Sequence, residues 1–326
     1  MIAEYFANLD VAQLIYSIIR ISTPLIYVAL AVNVTLQAGL LNMAAESMML
    51  ASSLAGVLIS GYSQSLFLGL LGGAAVSVFV TLFLCFATFV MKVDLYLMSI
   101  SMNMALLGGT VYVMYLFTGL KSLTASKVPS LSVPQVHIPF IKDIPFFGKI
   151  ISGHNGFTYF AFIMVFAVWF LIFKTKFGLR MRATGQNPQA VETVGINPRK
   201  IYTISFAISG FIASLGGMFL SMGYQNYFVR EITAGRGFIG MAASNIALGQ
   251  PLLSALVAIV FGAAEAVTQT LKLYIVDQQL LSSIPYIVTI ILIFVFSFFQ
   301  LRARERIERE NRKRLEEAHE QEAAAS

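Results

Sequence analysis

Three ionisable side chains stand inside otherwise apolar stretches of this 326-residue chain: Arg20, Glu46 and Glu265. A charge within hydrocarbon is costly, and by default it marks an ion path, a proton relay or a buried pair. Glu265 is isolated in its block, so it suits an ion-coupling role; an acid hydrogen-bonded inside a helical bundle is the structural alternative. Asn42, Asn103, Asn245 and Gln250 are uncharged polar groups in similar surroundings. Their amides can hydrogen-bond hydroxyls or base edges, or simply bridge helices. Enzymatic chemistry finds no footing. There is no Gly-x-x-x-x-Gly-Lys-Ser/Thr loop for nucleotide phosphates, no His-Glu-x-x-His and no Gly-x-Ser-x-Gly. His137, His154 and His319 fall outside the apolar blocks, and the single Cys85 falls inside one, which excludes disulfides and cysteine-based metal sites. No metal and no cofactor are expected.

The most strongly punctuated polar segment is residues 174–200. Asn187 is a good N-cap, Pro188 suits the first helical position, and Gly195 can take the left-handed conformation that ends a helix. The spacing predicts a helix of about two turns, residues 188–194. Asn197 and Pro198 then repeat the cap-and-proline start for the next element. So short a helix is unstable alone and must pack on its own bundle or on a partner.

The elements that hold these residues are apolar blocks at 11–31, 41–60, 66–91, 96–118, 157–173, 201–222, 238–248, 252–271 and 284–299. Most run to about twenty residues with few charges, the length a helix needs to cross a bilayer. The expectation is an all-α, polytopic transmembrane bundle of about nine spans, because lipid leaves backbone groups no partner outside a helix or a closed barrel. The blocks do not alternate, so a β-barrel is excluded. Two blocks stand out: residues 11–41 are long enough to bend, and 238–248 is short enough to be broken or re-entrant. Composition agrees: 57% of residues are hydrophobic and 12% charged, against about 25% charged in soluble domains.

Charge placement sets the expected orientation. Lys174, Lys176, Arg180, Arg182, Arg199 and Lys200 crowd one loop, and Arg302, Arg304, Arg306 and Arg309 follow the last block. Both regions should be cytoplasmic by the positive-inside rule. Residues 1–300 are then the membrane domain, with 174–200 a cytoplasmic loop, 119–156 external, and 301–326 a charged cytoplasmic tail. The external loop carries Pro129, Pro134, Pro139 and Pro145, which oppose a continuous helix and suit a cap or a linker. The N-terminus has Glu4 and Asp10 but no basic residue, unlike a signal peptide. The Asn33-Val34-Thr35 sequon lies in or beside a span and is discounted. No basic face interleaved with aromatics points to nucleic acid.

The run from Gly178 to Asn197, Gly-Leu-Arg-Met-Arg-Ala-Thr-Gly-Gln-Asn-Pro-Gln-Ala-Val-Glu-Thr-Val-Gly-Ile-Asn, resembles the coupling loop of bacterial ABC importer permeases of the branched-chain amino acid, simple sugar and nucleoside group. Gly39-Leu-Leu-Asn-Met-Ala-Ala-Glu-Ser-Met-Met49 resembles that family's early Gly/Asn/Glu element, with Ala44-Ala45-Glu46-Ser47 where Gly-Val-Glu-Gly is expected. Thr233-Ala-Gly-Arg-Gly-Phe-Ile239 resembles the start of its later spans, and Ile284-Pro285-Tyr286 leans to nucleoside and simple-sugar members. The resemblance implies a permease subunit in the bacterial cytoplasmic membrane. Its partners would be ABC ATPase subunits, a second permease, the same or related, and an extracytoplasmic solute-binding protein. It assigns Gly178, Arg180, Arg182, Gly185, Asn187, Pro188, Glu192 and Gly195 to ATPase coupling. Asn42, Glu46, Asn103, Asn245 and Gln250 become candidates for the path of a neutral polar cargo. The competing reading is an ion-coupled secondary transporter using Glu265.

Overall fold

The computed structural model describes residues 11–128, 130–136, 150, 152–271 and isolated positions between 287 and 302. The helices are α1 (Val11–Gln37), α2 (Ala45–Ser63), α3 (Leu66–Phe89), α4 (Leu95–Thr118), α5 (Gly156–Lys174), α6 (Lys176–Gln186), α7 (Pro188–Thr193), α8 (Pro198–Met218), α9 (Arg236–Ile246) and α10 (Pro251–Leu271). Among the described residues there is no strand, only the isolated bridges Leu123↔Val229 and Gln135↔Asn155. The all-α expectation therefore holds.

Six helical segments are long and apolar enough to cross a membrane: α1, α3, α4, α5, α8 with its extension, and α10. The protein is a multi-pass membrane protein. The expectation of about nine crossings meets two differences among the described residues. Block 238–248 is α9, whose 11 residues span about 16 Å and cannot cross a core of about 30 Å. Block 41–60 begins as a helix only at Ala45, and α2 carries buried Ser47, Ser52, Ser53 and Ser60. Block 284–299 and the tail 301–326 lie outside the described residues except at isolated positions. Within residues 11–41, α1 runs unbroken for 27 residues with Pro24 inside it.

The core is built on α1 and α8. Every residue from Ile21 to Thr35 in α1 is buried, and α8, α9, α10 and α5 pack around it. In contrast, α4 buries few residues and turns Tyr96, Leu97, Ile100 and Met104 outward, as a lipid-facing helix must. Buried serines of α2 bond across to α8: Ser53 Oγ donates to Gly217 O at 2.7 Å, and Ser52 Oγ to Ser214 O at 3.3 Å. Gly69 and Gly73, at GxxxG spacing, set α3 against α2 and α8, so this small-residue stripe serves packing within the chain.

The bundle has two distinguishable ends. At one, α1 finishes against α6, α8 begins after α7, and Gln37 Nε2 donates to Gly249 O at 3.0 Å just before α10. At the other, the segment after α4 is lashed to the chain after α8. Thr124 N bonds Phe228 O, Arg230 N bonds Ser122 O, Ser130 N bonds Asn226 O and Val133 N bonds Met222 O. The described part of the proline-bearing loop is thus a fixed cap over that end.

Candidate functional site

The segment 174–200 folds as its punctuation predicts. Thr175 Oγ1 accepts from Gly178 N at 3.0 Å and so caps α6. Gly178 lets that helix double back onto α5, since a Cβ there would lie 2.2 Å from Leu171 O. Asn187 Oδ1 accepts from Ala190 N at 3.0 Å, Pro188 opens α7, and the helix ends at Thr193 with Val194 as its cap. Gly195 follows with φ +79°, and Ile196 N returns to Val191 O at 3.2 Å, closing the terminal carbonyls. Asn197 Oδ1 then caps α8 through Arg199 N at 3.0 Å and Lys200 N at 3.4 Å.

This short helix has one anchored side and one free side. Only Val191 of α7 is buried, while Val194 is 71% exposed and Leu179 of α6 62% exposed. Arg180 and Glu192 are exposed beside them. Arg182 lies with its guanidinium 5.1 Å from the Phe173 ring and belongs to the anchored side. Gly185 does too. A Cβ on it would fall 2.5 Å from Gln37 O and 2.9 Å from Gly39 N, and Gly39 itself is held at φ +87°. Two glycines therefore allow α6 to seat directly on the backbone that leaves α1.

A second constellation lies deeper. Asn42 Nδ2 donates to Ser209 Oγ at 3.0 Å, and Ser209 is eleven residues into α8, about 16 Å from its start. The chain between α1 and α2 therefore climbs to mid-depth before α2 begins. The chain between α8 and α9 descends from the cap to the same level, so α2 and α9 start together and run to opposite ends. Glu46, in the first turn of α2, joins the two starts. Its carboxylate accepts from Thr233 Oγ1 at 2.5 Å, Gly235 N at 2.9 Å and Gly237 N at 2.6 Å. The unpaired N–H groups and the dipole of α9 are thus met by a carboxylate from another helix. Gly237 permits the approach, because a Cβ would lie 2.6 Å from the Glu46 backbone.

The other polar candidates separate into two groups. Asn42 is fully buried with Oδ1 accepting from Ala44 N, and Asn103 receives Ser47 N at 3.1 Å and donates to Met43 O at 2.9 Å. Both tie helices together, as does Asn33, whose Oδ1 accepts from Ser244 and Ser254; its burial also disposes of the sequon. Asn245 and Gln250 are exposed, on and just after α9.

Glu265 is not isolated, contrary to the sequence reading. Arg236, at the first position of α9, donates to it, and Gln269 Nε2 adds a bond at 3.2 Å. The pairing removes the reason for assigning Glu265 an ion-coupling role. Arg236 is the residue that sequence reasoning missed as a counter-ion.

A groove of about 670 Å³ between α2, α3 and α4 is lined by Ala51, Leu54, Leu58, Ile59, Val76 and Leu106 among others. It offers a polar solute almost nothing to replace water.

The described residues thus form a helical bundle with six helices long enough to cross a membrane, one short exposed helix at one end and an 11-residue inner helix that begins at mid-depth. Residues 14–297 match the family described as branched-chain amino acid transport system / permease component, and the chain belongs to it. It is 30% identical over 299 residues to the guanosine ABC transporter permease protein NupQ of Bacillus subtilis, covering 87% of this chain and 92% of that one. It is 25% identical over 286 residues to the nucleoside ABC transporter permease protein NupC of Lactococcus lactis, covering 84% and 89%. No solved structure gives a significant match.

Proposed function

We propose that the chain is the membrane subunit of an ATP-driven importer in a bacterial cytoplasmic membrane, and that its cargo is a nucleoside. ATP is bound and hydrolysed by separate ATPase subunits that dock on α7. An external binding protein delivers cargo at the capped end. The carrying observation is the half-exposed lever: Val191 anchors it, while Val194, Leu179, Arg180 and Glu192 face outward with no partner among the described residues. A mixed apolar and charged patch of this kind suits a protein interface core and rim. Lys174, Lys176, Arg180, Arg182, Arg199 and Lys200 around it favour the cytoplasmic side.

The path itself follows α9. Irregular backbone at membrane depth must be covered by protein or line an aqueous cavity, and α9 is bounded by such backbone at both ends: Glu231, Ala234 and Gly235 before it, Leu248 and Gly249 after it, all at positive φ. Its exposed residues Phe238 and Asn245, with Leu248 just after it, would face a second permease across the passage, with Gln250 at the cytoplasmic mouth. The nucleoside assignment rests on the named activities of the two relatives.

The test is uptake by cells co-expressing the chain with its genomic neighbours. Nucleoside accumulation should stop when the ATPase partner is inactivated and should survive an uncoupler while ATP is maintained. Collapse on dissipating ion gradients at constant ATP would contradict the proposal.

A further inference from the structure

In the third of the bundle nearest the cap, a small, mostly apolar cleft with Arg20, Arg236 and Gln269 in its wall lies between α1, the end of α8, the start of α9 and α10. It is lined by Arg20, Pro24, Phe219, Tyr224, Arg236 and Gln269 among others and holds about 20 Å³, room for one water-sized group. Its depth follows from α10: Gln269 lies eighteen residues past Pro251, about 27 Å from the coupling end.

The wall of this cleft is poor in partners. Arg20 Nε is buried without a hydrogen-bond partner, and the guanidinium lies 4.9 Å from the Tyr224 ring centroid. No carboxylate pairs with Arg20 among the described residues, whereas Arg236 is neutralised by Glu265. Tyr224 closes a π-helical segment, Phe219–Tyr224, in which Gln225 N reaches Leu220 O five residues back. Such an irregularity inside an α-helix is often retained at functional sites. Tyr224 is 40% exposed at the mouth. A guanidinium at membrane depth with no carboxylate partner among the described residues defaults to a role on a solute path.

We propose that this cleft is the outer recognition subsite of the path and that it selects nucleosides whose base carries an exocyclic carbonyl oxygen. The inference rests on the nucleoside reading above. The cleft admits a single heavy atom, and among its lining residues Arg20 carries the buried donor, Nε, that has no partner. A carbonyl oxygen accepts from the Arg20 fork, as guanidinium groups do with the keto edge of guanine. An amino group in the same place sets donor against donor. The rest of the base stays outside, against Tyr224, since planar bases stack on aromatic and guanidinium faces. A phosphate is too large for the space.

Inosine and adenosine are the probes, because they differ at the keto and amino position of the purine. With the complete transporter reconstituted in proteoliposomes, competitive uptake gives an inosine-to-adenosine ratio while the binding protein is held constant. Arg20→Met should lower that ratio about tenfold, the value of one charge-assisted hydrogen bond. Arg20→Lys, which keeps the charge but loses the planar fork, should lower it in the same direction and serves if the first variant fails to reach the membrane. Nucleoside uptake with an unchanged ratio in both variants overturns the subsite alone, leaving a cleft that holds a water. A wild-type transporter that takes up a simple sugar and neither nucleoside overturns the nucleoside reading, and the subsite with it.

Discussion

Arg236 and Glu265 form an ion pair between the first residue of α9 and the body of α10, with side chains only 16% and 14% exposed. The pair fixes the start of a helix too short to span the membrane, from the side opposite Glu46. Removing one partner leaves the other charge buried. Glu265→Ala should therefore destabilise the solubilised protein by about 3–5 kcal/mol, read as a lowered unfolding temperature. Arg236→Met combined with Glu265→Leu should recover much of that loss. If Glu265→Ala unfolds like wild type, the pair does not hold α9.

Glu46 and Gly237 make the complementary prediction. A methyl at Gly237 has no space beside the Glu46 backbone, and overpacking of this kind costs about 1–3 kcal/mol. Gly237→Ala should reduce the amount of folded protein in the membrane. Glu46→Gln keeps one acceptor oxygen for the three donors and should be milder than Glu46→Ala. Equal stability of all three variants would show that the junction is not a support.

His154 sits outside the spans, stacked on Tyr16 at 4.1 Å with Nε2 2.8 Å from Ile150 O. Burial, helped by the nearby positive charge of Arg20 and opposed by the Ile150 bond, holds its pKa below the ordinary 6.5. The folded state therefore binds this proton less readily than the unfolded chain. Stability from this group is complete above pH 6.5 and falls as pH drops toward the lowered folded value. Thermal unfolding between pH 7.5 and 5.5 should show the decline, and His154→Phe, which keeps the stacked ring, should flatten it. An identical slope in the variant would assign the decline to other groups.

Orientation is tested by single cysteines in a Cys85→Ala background. An impermeant reagent on intact cells should label position 136, exposed on the capped end, and not position 176. The reverse pattern would invert the proposed topology.

How much of this was legible in sequence depended on the range of the interactions. The lever α7 was readable to within a residue because Asn187, Pro188, Gly195 and Asn197 act on backbone groups two to four positions away. The contact between Glu46 and α9 was not, since its bonds join residues 187 to 191 positions apart. In the sequence the two segments read as separate family-like motifs, and only the fold brings them together. Likewise the left-handed Glu231 and Ala234 carry no glycine or asparagine signature, so the break before α9 was hidden while its short length was not.

The most direct measurement of the central claim is cargo-stimulated ATP hydrolysis by the assembled complex carrying changes on the free side of α7. Val194→Asp places a charge on its most exposed apolar residue, Glu192→Lys reverses its only charge, and Gly195→Val opposes the positive φ that ends it. All three proteins should reach the membrane at near-normal levels and lose both uptake and cargo-stimulated hydrolysis. Full stimulation in all three would mean that α7 is an ordinary connector and that the ATPase subunits act on the bundle elsewhere.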